Sequence, residues 1–422
     1  MIDGYKDSVL GKIPKKWSSV KLGDVLSKSP EYGANASSKE FDSDSLRYIR
    51  ITDILENGKL TQSNFVGISS KEGESYRLLQ DDILIARTGN TVGKSYLYDS
   101  KDGNCSFAGY LIRFKINNTI STPKFIIQYL HSELFWNWVK SVVRTGAQPN
   151  INSKEYQSLP LSLPPLPEQQ KIAEILSTVD DKIEVIDQQI IETQALKKGL
   201  MQRLFTKGIG HTEFKDSPLG MIPESWEVLE FGDLISSHCY GPRFSSKDYS
   251  ESGNVKTIRG TDINKTGDIL YQQVPTAKLP NDFVENHKLK DGDLVMITTA
   301  DCGLTGVYFD QGFPFIPSAY AVRIRLNEKA YPFYFKFMFQ TELAKNQVEK
   351  YIRKGTVANL PGSDILKFTF PTPPIEEQQK IAEILSSVDD KLNVLLEKKT
   401  HYQELKQGLM QQLLTGKIRV KV

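Results

Sequence analysis

The stretch LPPLPEQQKIAEILSTVDDK occupies residues 163–182, and a near copy, FPTPPIEEQQKIAEILSSVDDK, occupies residues 370–391. Gln169 aligns with Gln378, and the difference in residue number, 378 − 169, is 209. The same offset relates LKKGLMQRLFT, which ends at Thr206, to LKQGLMQQLLT, so no insertion separates the two ends of the copied segment. A repeat of this length and fidelity predicts two equivalent structural elements in one chain.

Each copy is predicted to be a long helix. Prolines at positions 164, 165 and 167 favour an extended approach, and no further proline occurs from Glu168 until Pro218. Apolar residues then alternate at spacings of four and three, which is the period of about 3.5 residues that defines a coiled-coil seam. The predicted seam residues are Ile172, Leu176, Val179, Ile183, Ile186 and Ile190 in the first copy, and Ile381, Leu385, Val388, Leu392 and Leu395 in the second.

These helices are long for a globular protein. About 40 residues at ~1.5 Å rise make a rod about 60 Å long, which exceeds the width of most domains. Each rod therefore needs a partner, and the other copy is the obvious one. Gly199 and Gly408 lie at matched positions near the ends, where a glycine costs about 1 kcal/mol relative to alanine. We interpret them either as points of close helix approach or as parts of a fraying last turn.

The repeat extends beyond the helices. DSVLGKIPKKW at residues 7–17 returns as DSPLGMIPESW at residues 216–226, and YIRITDI at 48–54 returns as TIRGTDI at 257–263. The chain is therefore a tandem duplication in the order globule, rod, globule, rod. The predicted domains are a first globule at 1–163, a central long helix at 164–207, a second globule at 208–372 and a C-terminal long helix at 373–422.

Within each globule the pattern is mainly that of β-strands. LRYIRI, DDILIAR and YLIRFKI in the first half match VKTIRG, GDLVMIT and YAVRIRL in the second, and turn residues bound each run. Residues 122–143 and 330–352 each read as one helix, beginning at Pro123 and Pro332. The fold class is therefore α+β, with two similar sheet-containing globules separated by two long helices.

Composition sets broad limits on function. A chain of 422 residues has room for two or three domains, and its formal net charge of +2 does not by itself indicate a polyanionic partner. Cys105, Cys239 and Cys302 are odd in number and show no paired spacing, which favours a reducing compartment. No apolar run of signal-peptide or membrane-spanning length occurs. We therefore predict a soluble, cytoplasmic protein that does not bind membranes.

Motifs for catalysis are missing or incomplete. TGNTVGKS at residues 88–95 ends like a phosphate-binding loop, but SYLYDS at 95–100 reads as a strand, where such a loop needs a helix N-terminus. The double prolines at 164 and 373 lack the polar and aromatic neighbours of an amino-methyltransferase motif. The histidines have no counterparts across the repeat, and no hydrolase or metal-ligand motif recurs. A duplicated enzyme should retain its catalytic residues in duplicate, so we predict no catalytic residue and no metal site.

What does recur is a set of Arg, Thr, Asn and Gly on predicted loops. Arginine can fork onto the guanine edge and Asn or Gln onto adenine, while Thr and Lys can hold phosphates. The candidate DNA-binding residues are Arg50, Thr52, Arg87, Thr88, Lys94, Arg144, Gln148 and Asn150 in the first half, and Arg259, Thr261, Thr298, Thr299, Arg353 and Asn359 in the second.

Two kinds of candidate differ in what else they could do. Arg50 and Arg259 precede Asp53 and Asp262 by three residues, so a structural ion pair that fixes the turn is the stronger interpretation for them. The diverged loops, ARTGNTVGKS against ITTADCGLTG, favour the functional interpretation. Duplicated units that differ mainly in their loops should recognise two different things.

The paired EQQKIAEIL helices, the IPxxW segments, ARTGNTVGKS and the GAQPNI loop together resemble the specificity subunit of type I restriction-modification systems, over essentially the whole chain. The resemblance implies two target recognition domains, each reading half of a split DNA sequence, and two conserved helices packed antiparallel. It also implies docking to two modification subunits, which are adenine-N6 methyltransferases, and to restriction subunits. S-adenosylmethionine, ATP and Mg²⁺ would then belong to the partners, and this chain would need no cofactor.

A physical reading adds a mechanism. Antiparallel rods would place the two similar globules in opposite orientations, which matches the twofold axes of duplex DNA. The length of the rods would then set the separation of the two half-sites, with about 34 Å per DNA turn. The alternative, from another class, is a duplicated coiled-coil scaffold that binds proteins without DNA readout. A stand-alone nuclease-methyltransferase is disfavoured by the missing motifs.

Overall fold

The computed structural model describes residues 4–143 and 149–421. Its contacts divide the chain into two units. Unit one comprises Met1–Asp187 together with Glu397–Val422, and unit two comprises Gln188–Leu396. Each unit therefore contains one globule with part of each long helix, and the four-segment division given above stays a prediction. No helix in the described parts of the chain is both long enough and apolar enough to cross a membrane.

Unit one is built on two four-stranded sheets. Its strands are β1 (Tyr5–Ser8), β2 (Gly11–Pro14), β3 (Ser18–Lys21), β4 (Glu31–Tyr32), β5 (Lys39–Glu40), β6 (Ser45–Ile49), β7 (Val66–Ser69), β8 (Ile83–Ala86), β9 (Ser95–Leu97), β10 (Cys105–Phe107), β11 (Leu111–Phe114) and β12 (Pro160–Leu163). Its helices are α1 (Ser70–Gly73), α2 (Pro123–Leu130), α3 (Glu133–Val142), α4 (Ser153–Gln157) and the first part of α5 (Leu166–Lys207). The sheet orders are β10-β6-β7-β5 and β4-β11-β8-β9.

Unit two repeats this plan with fewer strands. Its strands are β13 (Phe214–Lys215), β14 (Ile222–Pro223), β15 (Glu227–Glu230), β16 (Ile235–Tyr240), β17 (Val255–Ile258), β18 (Thr276–Ala277), β19 (Leu294–Ile297), β20 (Thr305–Val307), β21 (Phe315–Pro317), β22 (Ala321–Leu326) and β23 (Thr369–Thr372). Its helices are α6 (Asn281–His287), α7 (Pro332–Met338), α8 (Glu342–Tyr351), α9 (Gly362–Ile365) and the first part of α10 (Ile375–Leu413). The main sheets are β16-β22-β19-β20 and β18-β17-β21.

The central strand β8 lies between two cores. Side chains alternate across a strand, and in β8 Ile83 and Ile85 enter one hydrophobic cluster while Leu84 enters another. Burial on both faces explains why its sequence is apolar throughout rather than alternating. The three strands predicted in each half are confirmed, as β6, β8 and β11 in unit one and β17, β19 and β22 in unit two.

The two predicted single helices after the sheets are wrong in one respect, because each is broken into two. Helix α2 ends at Leu130, and Ser132 then accepts a hydrogen bond at its side-chain oxygen from the backbone N–H of Phe135, which starts α3. Thr341 caps α8 in the same way through the N–H of Ala344. Because the hydroxyls of Ser132 and Thr341 each cap a new helix, the helix that was predicted to be continuous ends just before each of these residues.

The long helices meet within each unit, and they run antiparallel there. In unit one Asp180 and Asp187 of α5 pair with Lys406 and Lys399 of α10, so residue numbers rise along one helix as they fall along the other. In unit two Lys197 of the last part of α5 pairs with an aspartate in the first part of α10. The antiparallel pairing that the family resemblance implies is therefore observed.

The first turns of each long helix also belong to the globular core, which the narrow seam pattern did not indicate. Ile172 and Leu176 are completely buried in a cluster that includes Trp17 and, from the end of α10, Met410 and Leu413. In unit two the buried members are Ile381, Leu385, Trp226, Leu204 and Phe205. The remaining predicted seam residues are buried in the cases of Val179, Ile186, Ile190, Val388 and Leu395 and half-buried in the cases of Ile183 and Leu392.

A carboxylate, buried at Glu168 and half-buried at Glu377, joins each helix start to its globule. In unit one Glu168 accepts hydrogen bonds from Trp17 Nε1 at 3.0 Å and from the guanidinium of Arg419, at 2.7 Å from its terminal nitrogen. In unit two Glu377 accepts from Trp226 Nε1 at 2.9 Å and from the backbone N–H of Ile209 at 2.9 Å. In both units, therefore, a carboxylate in the first turn of one long helix links a tryptophan of the globule to the residues that follow the other long helix.

Gly199 and Gly408 are not close-approach points, so that interpretation is wrong. A Cβ atom added at either position would meet no atom within 4 Å. Both helices continue past these residues, to Lys207 and Leu413.

Two repeat-equivalent ion pairs lie along the helix contacts. Lys197 Nζ is 2.6 Å from Asp389 Oδ1, and Lys406 Nζ is 2.7 Å from Asp180 Oδ1. Both Lys197 and Lys406 are largely buried, so a shift of one helix turn would leave an unpaired charge among apolar residues. Such charges specify the register of a helix pair rather than add much to its stability.

We expect Lys197→Met to lower the free energy of unfolding by about 2 kcal/mol, because Asp389 would then lack its partner, although partial exposure moderates the cost. Adding Asp389→Leu should recover most of the loss. Urea unfolding of the two single variants and the double variant measures the coupling between the positions. Strictly additive losses would show that the pair does not specify the register.

Candidate functional site

Three segments of unit one meet where β8 ends. The backbone N–H of Arg87 donates to the carbonyl of Tyr110 at 3.0 Å, and the N–H of Ile151 donates to the carbonyl of Arg87 at 3.0 Å. Gly89 N–H donates to the carbonyl of Pro149 at 2.9 Å, next to a bridge between Thr88 and Asn150. We call the meeting point of residues 87–89, 110 and 149–151 the unit-one junction.

Unit two forms the same junction from different side chains. Thr298 N–H donates to the carbonyl of Tyr320 at 2.9 Å, and Leu360 N–H donates to the carbonyl of Thr298 at 2.8 Å. Ala300 N–H donates to the carbonyl of Ala358 at 3.1 Å, and Thr299 bridges Asn359. Residues 298–300, 320 and 358–360 form the unit-two junction. The two diverged loops are therefore structurally equivalent, although their sequences do not show it.

The third loop residue takes a left-handed conformation in both units. Gly89 has φ +69°, and its equivalent, Ala300, has φ +65°. Glycine adopts this conformation freely, whereas a residue with a Cβ atom is strained there by about 1–3 kcal/mol. Unit two thus retains the loop path at a cost in stability, which is typical of a conformation that a functional site requires.

The junctions bring together about half of the predicted DNA-binding residues. Arg87, Thr88 and Asn150 meet in unit one, and Thr298, Thr299, Asn359 and Arg353 meet in unit two. These lists include both asparagines predicted to read bases, and both are exposed. Thr88 and Thr298 are buried, so their side chains support the loops.

Two arginines are held differently: Arg87 belongs to the unit-one junction, and Arg353 lies beside the unit-two junction, where it bridges Asn359. The Arg87 guanidinium lies 4.8 Å from the ring centre of Tyr32, and its Nε atom is buried without a hydrogen-bond partner in the described structure. Burial raises the pKa of Tyr32, but hydrogen bonds with Ser153 and the positive charge of Arg87 outweigh it, so the net pKa is lowered. Arg353 is exposed and reaches Asp364 only at 3.8 Å.

Other predicted residues lie elsewhere. Arg50 Nε and its terminal nitrogen donate to Asp53 at 3.1 and 2.9 Å, and Arg259 makes the same fork to Asp262 at 3.0 and 2.9 Å, which confirms the structural ion pairs. Lys94 pairs with Glu56 at 2.7 Å. Thr52 and Thr261 are exposed next to the ion-paired turns. Arg144 and Gln148 lie outside the described residues, and DNA contact by any of these residues stays a prediction.

Four tyrosines at the junctions were missed by the sequence reasoning. Tyr110 and Tyr320 supply the carbonyls described above, and their rings are exposed. Tyr32 and Tyr240 accept hydrogen bonds at their hydroxyls from the backbone N–H groups of Ser153, at 3.2 Å, and Gly362, at 2.5 Å. The available signal was a Tyr-Gly pair in each half, 32–33 and 240–241, and a tyrosine before each matched strand.

The glycine of each Tyr-Gly pair has a packing reason. A Cβ atom at Gly33 would overlap the carbonyl oxygens of Phe107 and Ala108, and one at Gly241 would overlap those of Pro317 and Ser318. Only glycine allows this close backbone approach. The approach positions the tyrosine beside the junction in each unit.

Cys105 and His131 are titratable residues that belong to neither junction. Burial raises the pKa of Cys105 to about 12, and burial lowers the pKa of His131 to about 4, so both are neutral near pH 7. Within residues 4–143 and 149–421, no three His, Cys, Asp or Glu side chains are grouped so that they could hold a metal ion.

Comparison with known proteins identifies relatives across the whole chain. The chain is 29% identical to the putative type I restriction enzyme MjaX specificity subunit of Methanocaldococcus jannaschii, over 99% of this chain and 97% of that protein. It is 23% identical to the type I restriction enzyme EcoKI specificity subunit of Escherichia coli, over 88% and 82% of the two chains. The fold is similar to the crystal structure of a type I restriction-modification system S subunit from M. genitalium, with a TM-score of 0.60, 13% identity and coverage of 94% and 96%.

The family model described as the type I restriction modification DNA specificity domain matches twice, at residues 14–194 and 223–407. The two matches include both junctions and most of both long helices. No finding supports the alternative of a scaffold without DNA readout. Because the matches cover most of each half, the protein belongs to the type I restriction-modification DNA specificity family, with two specificity domains in one chain.

Proposed function

We propose that this chain is the non-catalytic, DNA-reading subunit of a type I restriction-modification complex, and that each unit reads one half of a split target. The observation that carries the proposal is the repeated junction: one backbone arrangement places Arg87 in unit one where unit two has Thr298, whose buried side chain is not available to a base. A common frame with different side chains is what two half-sites of different sequence require. Arginine discriminates guanine through its major-groove edge, whereas threonine cannot make that fork.

The proposed partners include two copies of a methyltransferase subunit. Exposed apolar residues on the long helices recur at the repeat offset, Val185 with Val394 and Leu196 with Leu405. Each unit therefore carries an equivalent set, which suits two copies of one partner. We place S-adenosylmethionine, ATP and Mg²⁺ on the modification and restriction subunits, with the complex in the reducing cytoplasm.

The near-neutral net charge of +2 fits the same division. Phosphate contacts give much of the affinity of a DNA-binding protein, and docked partners can supply them. Base contacts in this chain then contribute discrimination of about 1–3 kcal/mol each, which is sufficient only when both halves bind together.

The test is a binding assay on the complex of this chain with its methyltransferase subunit. Selection from a random duplex library, followed by sequencing, should return a split motif with two defined halves. DNA from cells that carry the complex should show adenine methylation in the same motif. Enrichment of no motif, or of one continuous motif, would reject the proposed function.

Substitution of Arg87 and of Arg353 should affect recognition of different half-sites. We expect Arg87→Ala to reduce discrimination at one half-site by about 1–3 kcal/mol, and Arg353→Ala to do so at the other, because each removes a potential base contact from one unit. Affinities for duplexes with single base changes measure this effect. Arg77→Ala is the control, because Arg77 is a half-buried arginine that belongs to neither junction and whose guanidinium pairs with Glu74. An effect on thermal stability alone would instead indicate structural roles.

A further inference from the structure

Tyr110 and Tyr320 are the most exposed of the Phe, Tyr and Trp residues in the described parts of the chain. The exposed fractions are 58% for Tyr110 and 63% for Tyr320. Neither hydroxyl has a hydrogen-bond partner among residues 4–143 and 149–421. Single exposed apolar residues are common on protein surfaces. Here, however, the exposed tyrosine recurs at the equivalent place in both units, and stability does not explain that recurrence.

The backbone of each tyrosine is held firmly. The carbonyl of Tyr110 accepts from Arg87 N–H at 3.0 Å, and the carbonyl of Tyr320 accepts from Thr298 N–H at 2.9 Å and from Thr298 Oγ1 at 3.0 Å. The next residue begins β11 or β22. The rings therefore project from a rigid sheet end and not from a loose loop, and a tyrosine side chain loses little entropy on binding because it has only two rotatable bonds.

Three neighbours of the two tyrosines have diverged while the tyrosines have not, although Thr88 and Asn150 have identical counterparts in Thr299 and Asn359. Arg87 is replaced by Thr298 and Gly89 by Ala300, and the residue before the tyrosine changes from Gly109 to Ala319. Residues that read different bases should differ between the units. A residue common to both should contact what the two half-sites share, namely the sugar-phosphate backbone and the π-face that every base presents.

We propose that Tyr110 and Tyr320 are sequence-independent DNA contacts, one for each half-site, that set each unit on the duplex while neighbouring residues read the bases. This proposal rests on the proposed function. The ring packs against a nucleotide and the hydroxyl donates to a phosphate oxygen. The replacement of Arg87, Gly89 and Gly109 in unit two argues for DNA over a protein partner, because a surface for two copies of one protein should keep these neighbours as well.

The experiment compares Tyr110→Ala, Tyr320→Ala and the double variant with the unchanged chain, each in complex with the methyltransferase subunit. Equilibrium binding is measured at one salt concentration, on the selected bipartite duplex and on duplexes with either half-site scrambled. Each single variant should bind the bipartite duplex about tenfold more weakly, and the double variant about a hundredfold. The ratio of affinities between the bipartite and scrambled duplexes should stay the same.

Two further variants sharpen the comparison. Tyr110→Phe keeps the ring and removes the hydroxyl, so it should lose less affinity than Tyr110→Ala. Phe283→Ala is the control, because Phe283 is an exposed aromatic residue on α6 and belongs to none of the segments that form the unit-two junction. It should leave binding unchanged.

Several outcomes would overturn the proposal. Unchanged affinity of both alanine variants would show that the tyrosines do not contact DNA. A loss of discrimination at one half-site would show that the tyrosine of that unit reads a base. Loss of the methyltransferase subunit from the complex would make it a protein contact. Failure of the unchanged complex to select any bipartite duplex would instead reject the proposed function itself, so the two failures are distinguishable.

Discussion

Adding seven residues to both long helices should lengthen the accepted spacer between the half-sites by about three base pairs and leave the half-site bases unchanged. The insertions follow Gln188 in α5 and Glu397 in α10, close to the boundaries at which both helices pass from one unit to the other. Seven residues preserve a seam of about 3.5-residue period and add roughly 10 Å of helix, which corresponds to about three base pairs at ~3.4 Å each. Binding to duplexes of graded spacer length measures the change.

The matched control is an insertion in α5 alone. It would shift the last part of α5 relative to its partner segment in α10, so that Lys197 and Asp389 no longer pair. This variant should be destabilised and should not acquire a new defined spacer. New half-site bases with the original spacer in the doubly extended protein would contradict the role of the helices as the spacing element.

Trp17→Ala should lower the free energy of unfolding of unit one by about 3–5 kcal/mol, and Trp226→Ala should do the same to unit two. Both indole side chains are completely buried, and each donates its Nε1 hydrogen to a carboxylate, Glu168 or Glu377. Removal of the ring leaves a cavity and also takes a donor from a buried charge. Urea unfolding measures the loss, and hydrogen exchange assigns it to one unit or the other.

The phenylalanine variants at the same positions serve as controls. Trp17→Phe retains most of the buried ring but removes the donor, so it should cost about 1–3 kcal/mol. Equal losses in the alanine and phenylalanine variants would show that the hydrogen bond, and not the packing, anchors the helix start. A loss below about 1 kcal/mol in Trp17→Ala would contradict the anchoring role altogether.

Much of the architecture follows from the sequence because it depends on local patterns. The 209-residue repeat, the seam from Ile172 to Leu395 and the apolar strand ILIA at β8 are all visible as spacing and alternation. The structural ion pair of Arg50 with Asp53 was also predictable, since the two residues are only three positions apart. The helix break at Ser132 was not predicted, because the local sequence is compatible both with a continuous helix and with a new helix capped by the serine. Only packing decides between the two.

The sequence by itself determined that this protein is a duplication of an α+β globule followed by a long helix, with loops that differ between the copies. Only the tertiary structure decided which loop residues meet, because the junctions join residues 87, 110 and 150, or 298, 320 and 359, through contacts between segments far apart in the chain. Only the tertiary structure likewise showed that residues 397–422, at the end of the chain, belong to unit one. Exposure of Tyr110 and Tyr320 and burial of Glu168 likewise depend on what lies opposite each side chain, and a linear pattern carries no information about that.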